Sequence, residues 1–244
     1  MNNQKPNYTF LAVILALGFI IGAFIISRTW KSISRGNVTI TVTGSASKDI
    51  RSDYSVWTGV FSRESNSLTS AYEKLRNDNL AVKEYLKTKG IGDDKMVFSS
   101  VNTTTIYGTN AQGYETKEIA GYRLTQDVTI ESSDVDMIDK LSREASELIV
   151  KGIEFNSNPP QFLYTKLSDL KIEMIALASQ DAKVRAEQIA KSTGNEVGDV
   201  RSSKTGVIQI NAKHSTEVSD YGMNNTTSLE KTITSVVNIS FSIE

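Results

Sequence analysis

Residues 38–44 (VTITVTG) place an apolar side chain at every second position, with threonine between them and a glycine at the end. This alternation predicts a β-strand with one buried face and one solvent-facing face. The chain closes on the same pattern, since its last apolar side chains mostly lie two residues apart. These are Ile233, Val237, Ile239, Phe241 and Ile243. The two ends of the region after Asn37 are therefore predicted to be half-buried strands.

Between these strands the hydrophobic period alternates between strand-like and helical. Helical spacing predicts helices over residues 67–89, from Ser133 to Gly152 and from Thr165 to Gly194, and each is stopped by a glycine. Asn79 falls in the apolar stripe of the first helix, and Ser133 is expected to cap the second. Further strands are predicted at 54–62, 96–107, 119–130 and 207–210. One-sided strands favour a largely antiparallel sheet covered by helices on one face. The fold class is predicted to be α+β.

An unbroken apolar run precedes this region. Phe10–Ile26 (FLAVILALGFIIGAFII) carries no charge, and Tyr8 and Trp30 flank it where interfacial aromatic residues are common. The stretch from Tyr8 to Trp30 is long enough to cross the hydrocarbon core of a bilayer. It exceeds a signal-peptide core, and no small-x-small cleavage pattern follows it. We expect residues 1–36 to form a retained single-pass anchor and connector, and residues 37–244 to form the domain that it tethers.

The charges flanking the anchor favour a cytoplasmic domain. Lys5 precedes the span, whereas Arg28, Lys31 and Arg35 follow it. By the positive-inside rule, that excess places the C-terminal region in the cytoplasm. The family resemblance described below implies the opposite orientation, and we expect it to outweigh a margin of about two charges.

Composition excludes several classes of function. The chain has 27 Lys and Arg against 28 Asp and Glu. The four charged residues before Asn37 are all basic. The region after them therefore carries 23 positive and 28 negative side chains, a net charge of −5. An acidic domain of this kind is not expected to bind nucleic acid. The 244 residues include no cysteine and one histidine, His214, which excludes disulfides, thiolate catalysis and cysteine-ligated metals. We expect no catalytic, cofactor or metal site.

Four segments resemble a known family in the same order. They are VTITVTGSASKDIRSDYSV (38–56), LKTKGI (86–91), IAGYRLTQDVTI (119–130) and ALASQDAKVRAEQIAKSTGNEVG (176–198). The last is similar to a long alanine-rich helix followed by glycines, and Gly121-Tyr122 resembles a Gly-Tyr pair at a strand start. Together they are similar to the SIMPL domain family of bacterial envelope proteins, except that Ser52 stands where proline is usual.

The resemblance implies an extracytoplasmic domain held by an anchor or signal peptide. It also implies symmetric self-assembly, a loose link to envelope or oxidative stress, and no agreed set of catalytic residues. Structural roles are expected for seven residues in the matching region: Gly44, Asp53, Gly121, Tyr122, Ala182, Ala186 and Gly194. Asp53, between two strands, is expected to accept hydrogen bonds from backbone N–H groups of its turn.

Two polar segments are the expected contact surfaces. The loop 108–118 offers Asn110 and Tyr114, and it follows Tyr107 directly. Residues 211–230 are rich in Asn, Ser and Thr, contain Tyr221 and His214, and are predicted to be a loop insertion whose deletion leaves the fold intact. His214 is expected to be a surface residue without a catalytic role.

Three functions remain open from the sequence. The first is a membrane-anchored, non-enzymatic domain that assembles into a symmetric homo-oligomer and contacts the bilayer through Phe10–Ile26. The second is a binding module that captures a peptide, a lipid or an envelope protein. The third is a hydrolase that uses serine or carboxylate chemistry.

Overall fold

The computed structural model describes residues 8–35 and 38–243, and within the first helix it describes the side chains of residues 12–29. That helix, α1, spans Tyr8–Arg35, and its segment Ala12–Thr29 is long and apolar enough to cross a membrane. The side chains of Tyr8, Phe10 and Trp30 lie outside the described set, as do residues Gly36 and Asn37 of the predicted connector. An apolar helix near the N-terminus fits either an anchor or a signal sequence.

The described residues after α1 contain eleven strands and four helices. The helices are α2 (Leu68–Thr88), α3 (Val135–Glu144), α4 (Glu147–Val150) and α5 (Leu167–Ser192). The strands that precede α5 are β1 (Thr39–Arg51), β2 (Tyr54–Ser65), β3 (Met96–Phe98), β4 (Asn102–Thr109), β5 (Glu115–Ser132), β6 (Glu154–Ser157) and β7 (Gln161–Leu163). The remaining strands are β8 (Val197–Thr205), β9 (Gln209–Ala212), β10 (Met223–Asn224) and β11 (Glu230–Ile243). The prediction of an α+β fold with largely antiparallel pairing is confirmed.

The chain divides into two compact units. The first consists of Met1–Ser47, Lys171–Ile208 and Thr234–Glu244, and the second of Lys48–Leu170 and Gln209–Ile233. Strands β1 and β11 and helix α5 each contribute residues to both units. The strands form two sheets, where the sequence had predicted one, and the division into sheets does not coincide with the division into units.

The first unit packs α5 against strands β1 and β11. Strand β11 neighbours β1 and also pairs antiparallel with β8, with Ile239 opposite Ser203. Alanines spaced by four along α5 allow a close approach of helix and sheet, and they are fully buried. The core of this unit consists of Val42, Ala178, Ala182, Ala186, Val237, Ile239 and Phe241.

The second unit is built on a six-stranded antiparallel sheet. Its order is β3-β5-β2-β6, with β4 also paired to β5 and β7 also paired to β2. Helices α2 and α3 pack on this sheet and bury its apolar residues, including Trp57, Phe61, Leu75 and Ile138. The parallel pair of β9 and β10 also belongs to this unit. This core is the larger of the two and supports the surfaces discussed below.

Several local predictions differ from the structure. Asp134, not Ser133, caps α3, and its carboxylate accepts a hydrogen bond of 3.0 Å from the Met137 N–H. The helix expected to run on toward Gly152 is interrupted between α3 and α4. Strand β8 was not predicted, because an exposed strand that carries Asp199, Arg201 and Lys204 lacks alternation. These differences arise where side-chain contacts override the local pattern.

Candidate functional site

Strands β4 and β5 extend beyond the rest of their sheet. Strand β2 pairs with β5 only as far as Tyr122, which lies opposite Ser65. Residues 106–121 therefore form a two-stranded ribbon, called here the β4–β5 ribbon, with Tyr107 opposite Ile119. Tyr107 is 43% exposed and Ile119 is 55% exposed. Because directly opposed residues share a face, these two side chains form one exposed apolar pair.

The tip of the β4–β5 ribbon is an ordered turn. The Asn110 side-chain oxygen accepts hydrogen bonds from the N–H groups of Gln112 (3.1 Å) and Tyr114 (2.9 Å). Gly113 has φ of +83°, a conformation that glycine adopts without strain. Tyr114 is 72% exposed at this tip. The structure therefore assigns Asn110 to the turn itself, whereas Tyr107 and Tyr114 present their rings to solvent.

Strand β4 is an edge strand, and its register with β5 shifts between Ile106 and Tyr107 and again between Tyr107 and Thr109. It pairs with β5 alone, and its residues 102–109 (NTTTIYGT) include no charge and no proline. Natural sheets usually place lysine, proline or a bulge on an exposed edge, because free N–H and C=O groups there can pair with another chain. A two-stranded ribbon is also marginally stable by itself in water. The free edge of β4, which is regular from Asn102 to Ile106 and irregular beyond it, is a surface of the second unit that can accept a further strand.

Residues 211–230 are more closely attached than a simple loop insertion would be. The chain enters on β9 and leaves through β10, and the backbone N–H of Lys213 donates to the Glu230 carbonyl at 3.1 Å. Thr226 accepts from Phe162 N at 2.7 Å and Leu229 from Ser52 N at 3.0 Å. Tyr221 is 97% exposed. The structure thus places Tyr221 at a free tip and ties both ends of the segment to the second unit.

His214 lies on the surface of this same segment. It is exposed and has a positive φ of 68°. Its neighbour Lys213 places Nζ 3.0 Å from the Asp49 carboxylate. Hydrogen bonds from Thr232 and Lys213 hold the pKa of Asp49 below its usual value. Within residues 8–35 and 38–243, no three His, Asp or Glu side chains are grouped as metal ligands.

Gly44 lies against α5 in the first unit. A Cβ atom built on Gly44 would lie 2.7 Å from the Ala182 Cβ, and closer still to the Ala178 carbonyl oxygen and the Ala182 nitrogen. The next residue, Ser45, donates its N–H to the Asp181 carboxylate at 2.8 Å. Ala186 is fully buried one turn further along the helix. These residues bring β1 and α5 into close contact.

Asp53 joins two segments of the second unit. Its carboxylate accepts hydrogen bonds from the Thr165 N–H (2.7 Å) and the Thr165 hydroxyl (2.8 Å). The donor is therefore 112 residues away in sequence, where the sequence had suggested N–H groups of the local turn. The Asp53 N–H also donates to the Leu163 carbonyl at 3.0 Å. Asp53 anchors the segment that follows β7.

The resemblance also implied structural roles for Gly121, Tyr122 and Gly194. They lie at a close approach of two segments, against the core and at a helix end. Gly121 is buried where the β4–β5 ribbon leaves the sheet, and a Cβ there would lie 2.9 Å from the Ser65 carbonyl oxygen. Tyr122 packs against the core of the second unit. Gly194 ends α5 with φ of +75°, and the Asn195 N–H returns to the Ala190 carbonyl at 2.9 Å.

Two charge clusters join elements of the second unit: one connects α2 to strand β2, and the other connects the end of α2 to α3. Asp78 of α2 is buried, and Arg63 of β2 binds both of its carboxylate oxygens, one at 2.8 Å. Arg63 also donates to the Gly152 carbonyl at 2.7 Å. Lys89 Nζ lies 2.9 Å from Glu144, and this contact raises the pKa of Lys89 and lowers that of Glu144. The helical stripe had placed Asn79 inside, but Asp78 is the buried residue.

Sequence reasoning missed a buried lysine beside a cavity. Lys231 is 2% exposed and borders a cavity of about 280 Å³ in the second unit. The strand alternation could have revealed it, because Lys231 lies two residues before Ile233 on the inward face of β11. The other residues that line the cavity include Tyr54, Leu163, Thr165, Leu167, Ile210 and Asn224.

The comparisons with known proteins agree with the resemblance seen in the sequence. A sequence model of the family described as SIMPL, protein of unknown function (DUF541), matches residues 40–241. No curated protein matches the chain. The match covers most of β1, most of β11 and every element between them. The chain therefore belongs to the SIMPL (DUF541) family.

Proposed function

We propose that this protein is a membrane-anchored, non-enzymatic member of the SIMPL family that assembles with copies of itself on the extracytoplasmic side of a membrane. Its role is then structural, or part of an envelope-stress response. The observation that carries the proposal is the β4–β5 ribbon, with its exposed apolar pair and a free edge that carries no charge and no proline. The family membership and the apolar helix α1 support the setting.

The ribbon supplies two kinds of contact for self-assembly. The free N–H and C=O groups along β4 can pair with a strand of a neighbouring copy. Tyr107 and Ile119 add an apolar patch beside that edge, and Tyr114 extends it to the tip. Tyrosine is enriched at protein interfaces because its ring is apolar and its hydroxyl remains wet. A repeated contact of one edge with a different surface would generate a ring.

Light scattering of the full-length protein in a neutral detergent tests the assembly. We expect one discrete multimer for the wild type and a monomer for the double variant Tyr107→Ser/Ile119→Ser. Ile172→Ser is the control, because Ile172 is 68% exposed on α5 and belongs to the first unit, and this variant should leave the mass unchanged. A monomeric wild type would refute self-assembly.

The orientation has its own test. The chain contains no cysteine, so one introduced residue can be labelled selectively. Val150 is 91% exposed, and Val150→Cys should react with a membrane-impermeant maleimide on intact cells if the domain is extracytoplasmic. Asn3→Cys, on the other side of α1 in sequence, should react only after lysis. The reverse pattern would place the domain in the cytoplasm, as the flanking charges favour.

A second candidate function is capture of an extended peptide from another envelope protein. The same free edge of β4 favours it, since strand addition does not require the added strand to come from an identical chain. A monomeric wild type whose β4 amides become protected from hydrogen exchange on adding an envelope extract would support this function. With that result, peptide capture and not self-assembly would be the function of the β4 edge.

A further inference from the structure

The inward face of β11 carries a lysine where the pattern calls for an apolar residue. Residues 231, 233, 235 and 237 are all buried, and residues 230, 232, 234 and 236 are more exposed. Lys231 is one of the largest fully buried side chains of the protein. A long cationic side chain is almost never buried in this way unless it is paired or serves a site.

The ammonium group of Lys231 has too few partners for its charge. It donates one hydrogen bond of 2.5 Å, to the Phe162 carbonyl oxygen, although an ammonium group has three N–H donors. Among the described residues it forms no salt bridge with a carboxylate. Burial lowers its pKa below the ordinary value for lysine. An unpaired buried charge is unfavourable, and an incoming anion would relieve it.

The adjoining cavity has the size and lining of a small-molecule site. Its volume of about 280 Å³ corresponds to roughly nine or ten non-hydrogen atoms at the density of liquid water. Leu163, Leu167 and Ile210 form apolar walls. The polar residues Thr165 and Asn224 are exposed at its border, so the cavity opens to solvent.

The other polar neighbours do not neutralise the lysine. Tyr54 donates its hydroxyl to Glu131 at 2.7 Å, so that carboxylate is already engaged. The Thr165 hydroxyl is directed to Asp53, which also accepts the Thr165 N–H. Glu230, the neighbour of Lys231 in sequence, pairs with Arg51 at 3.1 Å. These three carboxylates thus have donors of their own, and among the described residues Lys231 has no counter-charge.

We propose that this cavity binds a small amphipathic carboxylate, whose charged group pairs with Lys231 and whose apolar part lies against Leu163, Leu167 and Ile210. Such a ligand completes the hydrogen bonding of the ammonium group and fills the apolar volume beside it. The inference does not depend on self-assembly, because every residue that it uses belongs to the second unit.

Calorimetric titration of the full-length protein in lipid nanodiscs tests the proposal. Phenylacetate, with ten non-hydrogen atoms, and hexanoate are the probes, and the neutral phenylacetamide is the matched control ligand. We expect at least one of the carboxylates to bind, and phenylacetamide to bind about tenfold or more weakly than phenylacetate, because a hydrogen bond with an ionic partner is stronger than a neutral one.

Three variants separate the lysine from the cavity. Lys231→Met keeps the side-chain volume and removes the charge, so carboxylate binding should fall by about tenfold or more. Lys213→Met is the matched control, since Lys213 is a partly exposed lysine paired with Asp49, and binding should be unchanged. Leu167→Trp keeps Lys231 and fills the cavity, so it too should abolish binding.

The proposal fails under any of three results. The wild-type protein could bind neither carboxylate, it could bind phenylacetamide as tightly as phenylacetate, or folded Lys231→Met could retain the affinity of the wild type. A circular dichroism spectrum and a cooperative thermal transition establish folding of each variant before titration. If Lys231→Met fails to fold, Leu167→Trp decides the question.

Discussion

Gly44 and Ala182 lie so close that a single methyl group would not fit between them. A Cβ on Gly44 would be 2.7 Å from the Ala182 Cβ and nearer to the helix backbone. The nearest atoms, the Ala178 carbonyl oxygen and the Ala182 nitrogen, belong to the helix backbone. They cannot rotate away as the end of a flexible side chain can. This contact fixes how closely β1 approaches α5 in the first unit, and it explains why glycine and alanine occur at these two positions.

Gly44→Ala should lower the stability of the protein by about 2 kcal/mol, because the added methyl must displace the backbone of α5. Thermal unfolding followed by circular dichroism measures the change. Gly108→Ala is the control, since the nearest atom to a Cβ there is the Thr116 side-chain hydroxyl at 3.1 Å and not a backbone atom. Equal melting temperatures for the two variants would contradict the close packing.

Asp181→Asn should reduce stability at neutral pH but not in acid. The Ser45 N–H and the Arg185 guanidinium, each 2.8 Å from the carboxylate, hold the pKa of Asp181 below its ordinary value. A carboxyl group with a lowered folded-state pKa stabilises the fold above its unfolded-state pKa, and this contribution disappears as the pH falls through the folded-state value.

Melting temperatures of the wild type and Asp181→Asn at pH 7 and below about pH 3 test this expectation. The difference should be present at pH 7 and vanish in acid. Glu187→Gln serves as the control, because Glu187 makes only a surface contact of 3.8 Å with Lys183 on the same helix. A difference that persists unchanged in acid would show that Asp181 does not act through its charge.

Asp78→Ala should destabilise the second unit by about 3 kcal/mol, because it leaves the Arg63 guanidinium partly buried without its carboxylate. The double variant Arg63→Met/Asp78→Leu should recover most of that loss, since well-packed apolar side chains can replace a buried ion pair. Chemical denaturation of all variants gives the free energies.

The surface pair Arg143–Asp139 is the control for this experiment. It lies on α3 with the arginine side chain 67% exposed, and Arg143→Ala should change stability by less than about 0.5 kcal/mol. If Asp78→Ala lowers the free energy of unfolding as little as Arg143→Ala does, the ion pair between β2 and α2 contributes little to stability.

Deleting residues 211–230 should destabilise the second unit, contrary to the expectation from composition. The deletion removes the acceptors of the Phe162 and Ser52 N–H groups together with part of β9 and all of β10. Tyr221→Ser, which changes only an exposed tip, should leave the melting temperature unchanged. If the deletion variant melts at the wild-type temperature, the segment is an independent insertion after all.

Local patterns predicted most of the elements but not their partners. The helical period of α2 was correct, yet the stripe pointed to Asn79, and it is Asp78 that is buried beside Arg63. The period cannot distinguish two neighbours at the border of a stripe, and a partner from β2 decides between them. Asp134, and not Ser133, caps α3. The sequence could not distinguish these two neighbours, because both residue types cap helices well.

The sequence by itself determined the apolar helix α1, the alternating strands β1 and β11, the alanine spacing of α5 and the family to which they belong. These features depend on residues a few positions apart, where the geometry of a helix or strand fixes which side chains share a face. The tertiary structure alone decided that Asp53 binds Thr165, that Lys231 lies beside a cavity and that residues 106–121 extend beyond their sheet. Each of these depends on segments far apart in the chain, and packing of the whole domain, not local periodicity, brings such segments together.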